Sequence, residues 1–228
     1  RFLRLGDLEA FDSLDPEEIA GVILEPIQSV VGVKMAEPEY YRGLRDWCDR
    51  TGAVLIFDEV QTGNGRTGKW FVGEHWGVEP DLVTTAKGLG GGYPVGAVLA
   101  NEKISATVEA GDQATTFGGG PLAAAAVAAT YRIIEEEGLV EQVARLSSGV
   151  IERLGGYVGR GIEEVRGLGY LLGVRCEKPA KEIQAALLER GILVGTSGDP
   201  QTFRLLPPLT VSEDEWEIFF AALDDIFA

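Results

Sequence analysis

The chain has 228 residues, 36 of them acidic and 20 basic, for a formal net charge of −16. That balance, with no basic cluster, argues against a nucleic-acid or anionic-membrane partner and for a soluble protein. Two cysteines, Cys48 and Cys176, are too few for a disulfide framework and read as buried free thiols, which favours a reducing cytoplasm. No apolar run reaches the ~20 residues of a membrane span, and no signal-peptide pattern opens the chain. Its only methionine is Met35, so the sequence is read as a fragment whose beginning is absent.

In chain order, Asp15-Pro16-Glu17-Glu18 is a helix-start signal: a capping acid, proline at the first helical position and acids in the first turn. Residues 21–24 (GVIL) predict a buried strand with Glu25 at its end, followed by a loop through Gly32. The spacing of Tyr41, Leu44, Trp47 and Cys48 predicts an amphipathic helix from Pro38 to near Gly52. Residues 53–57 are apolar without alternation, the pattern of a strand covered on both faces in a parallel sheet, and Asp58 falls at its carboxyl end. The loop beyond carries Gly63, Gly65 and Gly68, which free the backbone to approach a ligand. Residues 82–85 predict another strand, with Lys87 after it and a glycine run, 88–92, that no helix tolerates well. A further strand is expected at 95–100.

Pro121 opens a helix through an alanine-rich run, with Gly138 as its C-terminal cap, and 139–154 continue as a second helix. Thereafter the elements shorten: strand-like 162–174 broken by glycines, helix 180–190, strands 192–194 and 203–206, and a closing helix 213–227. The expected fold is α/β, a mostly parallel sheet sandwiched by helices. Residues 1–138 are expected to belong to a large domain, and 139–228 to form a connecting helix and a small α/β domain.

Ligands in open α/β sheets bind outside the carboxyl ends of the strands, where both Asp58 and Lys87 fall. A carboxylate and an amine converging there suggest Schiff-base chemistry, because a partly desolvated lysine at a strand end is nucleophilic. Pyridoxal phosphate accounts for the acid as well, since its pyridine nitrogen must stay protonated and a carboxylate keeps it so. Gln61, three residues on, is expected within reach of the cofactor's phenolic oxygen as an uncharged donor, and Thr115-Thr116 before a glycine run and a helix start offer phosphate donors. No P-loop or dinucleotide fingerprint is present. His75 is the single histidine, which leaves no multi-histidine metal site and no histidine-based triad beyond it.

Four segments in order, FDEVQTGNGRTG, TTAKGLGGGYPVGAV, TTFGGGPLAAAA and FRLLPPLT, resemble the class III aminotransferases among the fold-type I pyridoxal-phosphate enzymes, the acetylornithine and other ω-amino aminotransferases in particular. The similarity covers nearly the whole chain and implies the C-terminal part of the large cofactor domain plus the small domain, without the N-terminal part. It implies transamination between an amino donor and a keto acid such as 2-oxoglutarate, with pyridoxal 5'-phosphate as cofactor and no metal. By that resemblance Lys87 carries the cofactor in a Schiff base and moves protons, Asp58 pairs with the pyridinium and Gln61 with the phenolic oxygen. Thr116, with Thr115, binds phosphate of the neighbouring subunit's cofactor, which implies a homodimer with shared sites. Arg204 grips a substrate carboxylate, and Glu25 matches a strand-end glutamate with a supporting role.

Three departures stand out. Relatives commonly read EPIQGEGG where this chain reads EPIQSVVG, so Val30 replaces a glutamate that pairs with the carboxylate-binding arginine; Arg204 is then expected to be permanently available, tilting the substrates away from ornithine-type donors. Gln113-Ala114 and Gly120 replace the usual His-Gly and asparagine around the threonine pair. Two alternatives stay open: an aminomutase of the glutamate-1-semialdehyde kind, and a non-catalytic homologue acting as a binding protein.

Overall fold

A computed structural model describes residues 1–227. In chain order, β1 (Gly21–Leu24), β2 (Ile27–Gln28) and β3 (Lys34–Met35) precede helix α1 (Pro38–Thr51) and β4 (Val54–Asp58). Then come β5 (Leu82–Thr85), β6 (Ala97–Ala100), the short α2 (Glu102–Ser105) and two long helices, α3 (Pro121–Glu136) and α4 (Leu139–Gly155). The chain closes with β7 (Ile162–Leu168), β8 (Leu171–Cys176), α5 (Ala180–Glu189), β9 (Gly195–Thr196), β10 (Thr202–Leu205) and α6 (Glu213–Ile226). It divides into two compact units: Arg1–Pro26, Ala36–Asn64 and Trp70–Glu137 form the first, and Ile27–Met35, Gly65–Lys69 and Gly138–Ala228 the second. No composition shift announces that the two short early segments go with the second unit.

The first unit is built on a sheet of order β1-β4-β5-β6, in which β1, β4 and β5 run parallel and β6 is an antiparallel edge. Proline at N1 starts α1, and Gly52 in the left-handed conformation (φ 78°) ends it. The helix buries Tyr41, Leu44 and Trp47. Tyr41 stacks on Trp76 at 3.8 Å, and its hydroxyl donates to the carbonyl of Pro26 (2.6 Å) while accepting from the amide of Ala36 (2.8 Å), which anchors the exit of β1. At the opposite end of the sheet the carboxylate of Asp81 accepts from the Leu55 amide, Asn101 Nδ2 and Arg45 Nη1, tying β4, β5 and β6 together.

Several local expectations shift. The cap at Asp15 is real, its side chain accepting from the Glu17 amide, but the helix it starts is a single 3-10 turn, Pro16–Glu18. The glycine run after β5 is also helical at its start, a 3-10 turn over Lys87–Gly90 closed by Gly91 at φ 57°. One such turn needs only two or three closing hydrogen bonds, so the entropic cost of glycine does not prevent it. β1 is not fully buried: it is the edge strand, and Ile23 is 64% exposed.

The second unit is an antiparallel sheet of order β7-β8-β10-β9 covered by α4, α5 and α6. Its core gathers Val143, Leu154, Ile162, Leu172, Val174, Phe203 and Leu223, all fully buried. Ser212 and Glu215 cap α6 reciprocally. Residues 192–194, expected as a strand, instead fold back on the end of α5, where the Ile192 amide donates to the Leu187 carbonyl and Gln184 Nε2 to that of Val194. The strand begins only at Gly195. The loop expected after Gln28 through Gly32 is the turn of a hairpin, β2 with β3, whose two-residue strands are too short to show any period.

Candidate active site

Strand register puts the predicted groups of the first unit on one sheet end. Leu24 pairs with Phe57 and Asp58 pairs with Thr84, so Glu25, just past β1, Asp58, last in β4, and Thr84 in β5 stand level across adjacent strands. Neighbouring strands lie about 4.8 Å apart. Lys87 follows three residues beyond Thr84, opening the 3-10 turn with φ +48°, a left-handed conformation that a side-chain-bearing residue rarely adopts. Its side chain is exposed, and among the described residues no hydrogen bond or ion pair engages the amine.

Asp58 Oδ1 accepts from the amide of Val60 (3.1 Å), which orients the carboxylate and leaves its other oxygen for a further donor. Gln61 is half-buried in the turn that follows, and its carboxamide has no partner among the described residues. That turn is held from within by Glu59. Its carboxylate, fully buried, accepts from Thr62 Oγ1 (3.0 Å) and from the Val72 amide (2.7 and 3.0 Å), and its own amide and carbonyl bond Thr84 and Gly63. Burial pushes its pKa up to about 7, against the pull of the Val72 amide and the Thr62 hydroxyl.

A second brace stands behind Lys87. The Tyr131 hydroxyl donates to Asn64 Oδ1 (2.9 Å) and Asn64 Nδ2 donates to Thr85 Oγ1 (2.9 Å), both inner partners being buried. Trp70 stacks on the Tyr131 ring at 5.0 Å. This chain of contacts fixes the end of β5, and with it the turn that presents Lys87. Glu59, Asn64, Thr85 and Tyr131 are absent from the residues singled out in the sequence. The signals for the first two were an acid directly after an apolar strand and an asparagine between glycines, the type that tolerates a left-handed backbone (Asn64, φ 59°).

Two glycines of the intervening loop, Gly63 and Gly68, approach the chain itself, not an open ligand surface. A Cβ on Gly63 would lie 3.0 Å from the Glu59 carbonyl, and one on Gly68 would lie 2.9 Å from Cα of Ala144. Arg66 belongs to the second unit, where its guanidinium donates to the carbonyls of Pro207 and Tyr170; burial lowers its pKa to about 10.

Thr115 and Thr116 lie in the loop between α2 and α3, both exposed, with Thr115 Oγ1 accepting from the Gly118 amide (3.0 Å). Arg204 lies on β10 in the second unit, as does the turn bearing Val30, whose side chain is 53% exposed. The guanidinium donates from Nε to the Thr196 carbonyl (2.8 Å) and from Nη1 to Ser29 Oγ (2.9 Å). Among the described residues no cluster of three or more metal-ligating side chains occurs, and no helix is long and apolar enough to cross a membrane.

An amine, a carboxylate and a carboxamide at the carboxyl end of a parallel sheet form a donor set suited to pyridoxal phosphate: a nucleophile for its aldehyde, an anion for its pyridinium and a neutral group for its phenolic oxygen. The chain is 42% identical over 214 residues to the acetylornithine aminotransferase of Methanosarcina acetivorans, covering 94% of this chain and 53% of that protein. It superposes on the acetylornithine aminotransferase of Elizabethkingia anophelis with a TM-score of 0.92 at 30% identity, over 99% of this chain and 59% of the other. The ornithine aminotransferase of Toxoplasma gondii, a structure described as revealing partial occupancy of PLP at the active site, matches with a TM-score of 0.86 at 28% identity, over 96% of this chain and 52% of the other. The chain thus spans about half the length of these relatives. Residues 4–227 match the model of the aminotransferase class-III family, and the chain belongs to that family.

Proposed function

We propose that the protein is a pyridoxal-phosphate-dependent transaminase, moving an amino group from an acetylornithine-like or other ω-amino donor to a keto acid such as 2-oxoglutarate. The observation that carries this reading is the placement of Lys87, which opens a 3-10 turn in a left-handed backbone conformation at the same sheet end as Asp58 and Gln61. Bound there, the cofactor supplies an electron sink for the carbon that carries the amine.

The chain's own residues do the rest. Lys87 Nζ would hold the cofactor covalently and, as a free amine, would take and return the proton at the reacting carbon. Asp58, oriented by the Val60 amide, keeps the ring nitrogen protonated by its negative charge. Gln61 donates a neutral hydrogen bond to the phenolic oxygen. Glu25, level with Asp58, adds support from β1. Arg204 receives a substrate carboxylate, and Thr116 with Thr115 binds the phosphate of a neighbouring subunit's cofactor, so that the working form is a homodimer in the cytoplasm. Residues 1–138 without 27–35 and 65–69 supply the cofactor-binding domain, and those two segments join 139–228 as the connecting helix and small domain.

Lys87→Ala in the intact protein is the direct test. It is expected to remove the near-visible absorption of lysine-bound pyridoxal and to lower turnover by ~10⁴-fold. Persistence of that absorption in the variant overturns the assignment.

A further inference from the structure

We propose that Ser29 is a specificity-determining residue, which fixes the Arg204 guanidinium through a neutral hydrogen bond and so leaves its charge standing for a substrate carboxylate. This rests on the reading of Arg204 as the carboxylate-binding group. The loss of an acid at Val30 says only that one partner is gone; the structure shows what has taken over the hold.

Ser29 reaches Arg204 because its turn is locked into the second unit. The turn closes on itself, the Ser29 carbonyl accepting from the amides of Gly32 (3.4 Å) and Val33 (3.2 Å). Val33 adopts φ +55°, a conformation that costs a β-branched residue, and its side chain is fully buried. It fills a notch that exists only because two residues of the sheet lack side chains: a Cβ on Gly173 would lie 2.8 Å from Val33 Cβ, and one on Gly167 would lie 3.0 Å from Val33 Cγ1. On the other side the Gly198 amide donates to the Val30 carbonyl (2.6 Å). Clamped at both points, the turn presents the fully buried Ser29 hydroxyl to Nη1 of Arg204 at 2.9 Å.

Arg204 pairs with Gly173 on β8 and with Gly195 on β9, so no side chain crowds it from its register partners. Of the guanidinium's five N–H donors, Nε engages the Thr196 carbonyl and Nη1 engages Ser29 Oγ. Both acceptors are neutral, and among the described residues no carboxylate lies within ion-pair distance of Arg204. An acid in the position of Ser29 would orient the same fork and also cancel its charge. A hydroxyl orients it and cancels nothing, so the anion site is pre-formed and needs no carboxylate to be displaced before a substrate enters.

The test uses the intact, cofactor-loaded protein, with 2-oxoglutarate as acceptor, glutarate as a dicarboxylate inhibitor and a primary amine lacking a carboxylate as donor. Ser29→Asp should raise the KM for 2-oxoglutarate and the inhibition constant of glutarate by ~100-fold while leaving the KM of the carboxylate-free amine unchanged. Ser29→Ala should raise the same two constants about tenfold, with kcat little altered, and Ser29→Thr should restore them. If Ser29→Asp does not fold, the alanine and threonine pair decides. Arg204→Ala separates the two layers of the argument. If it raises the glutarate constant while the Ser29 variants leave it unmoved, the role of Ser29 is overturned and that of Arg204 stands; if it leaves the constant unmoved, both fall.

Discussion

The two polar centres of this protein are built by opposite means. In the first unit, Asp58, Gln61 and Lys87 owe their common location to backbone topology: parallel strands in register bring Asp58 level with Thr84, and Lys87 follows on the next turn. In the second unit Arg204 owes its setting to missing side chains, since Gly167 and Gly173 admit Val33 and Val33 carries Ser29 into place. Register tolerates variation in what surrounds it, whereas a notch made of glycines fails with one added methyl group.

The first centre is expected to lose chemistry before it loses structure. Asp58→Asn keeps an acceptor for the Val60 amide but removes the charge, and kcat should fall by ~10³-fold with an unchanged unfolding midpoint. A fall in stability of similar size to the fall in rate would show that Asp58 holds the fold and not the cofactor.

Glu59 sharpens the contrast from beneath, as a buried acid inside the register-built centre. Its pKa is raised by burial to about 7, so the folded state holds a proton that the unfolded chain has released above about 4.5. Stability therefore declines as pH rises between those values, by up to ~3 kcal/mol, and Glu59→Gln should flatten that slope in denaturant titrations. A slope that persists in the variant would assign the pH dependence to another group.

The glycine notch gives the smallest effect and the clearest sign. Gly173→Ala sets a methyl 2.8 Å from Val33 Cβ and 3.0 Å from the Gly32 carbonyl, and should cost about 1–3 kcal/mol by thermal melting. Gly149→Ala, in the exposed middle of α4 with nothing within 4 Å, should stabilise by about 0.5–1 kcal/mol. Equal signs for the two would mean that the notch is not tightly packed.

Most of the first centre was legible in residue order. An apolar run without alternation marked β4, a short β-prone run marked β5, and a charged residue ending one and following the other marked the sheet end where ligands bind. The braces were not legible. Glu59 meets Val72 and Asn64 meets Thr85 and Tyr131 across 13, 21 and 67 residues, and no local pattern encodes a partner at such separations. The glycines at 63 and 68 were misread for a related reason: glycine signals a close approach, but the sequence does not say to what.

By itself, then, the sequence determined the α/β class, the family and the positions of Lys87 and Asp58 at strand ends, because strand-forming runs and ordered motifs are local. Only the tertiary structure decided that residues 27–35 belong to the second unit and that Ser29 takes up Arg204 from 175 positions away. That contact depends on shape, a side chain fitting where two others are absent, and complementarity of that kind exists only once the chain has folded.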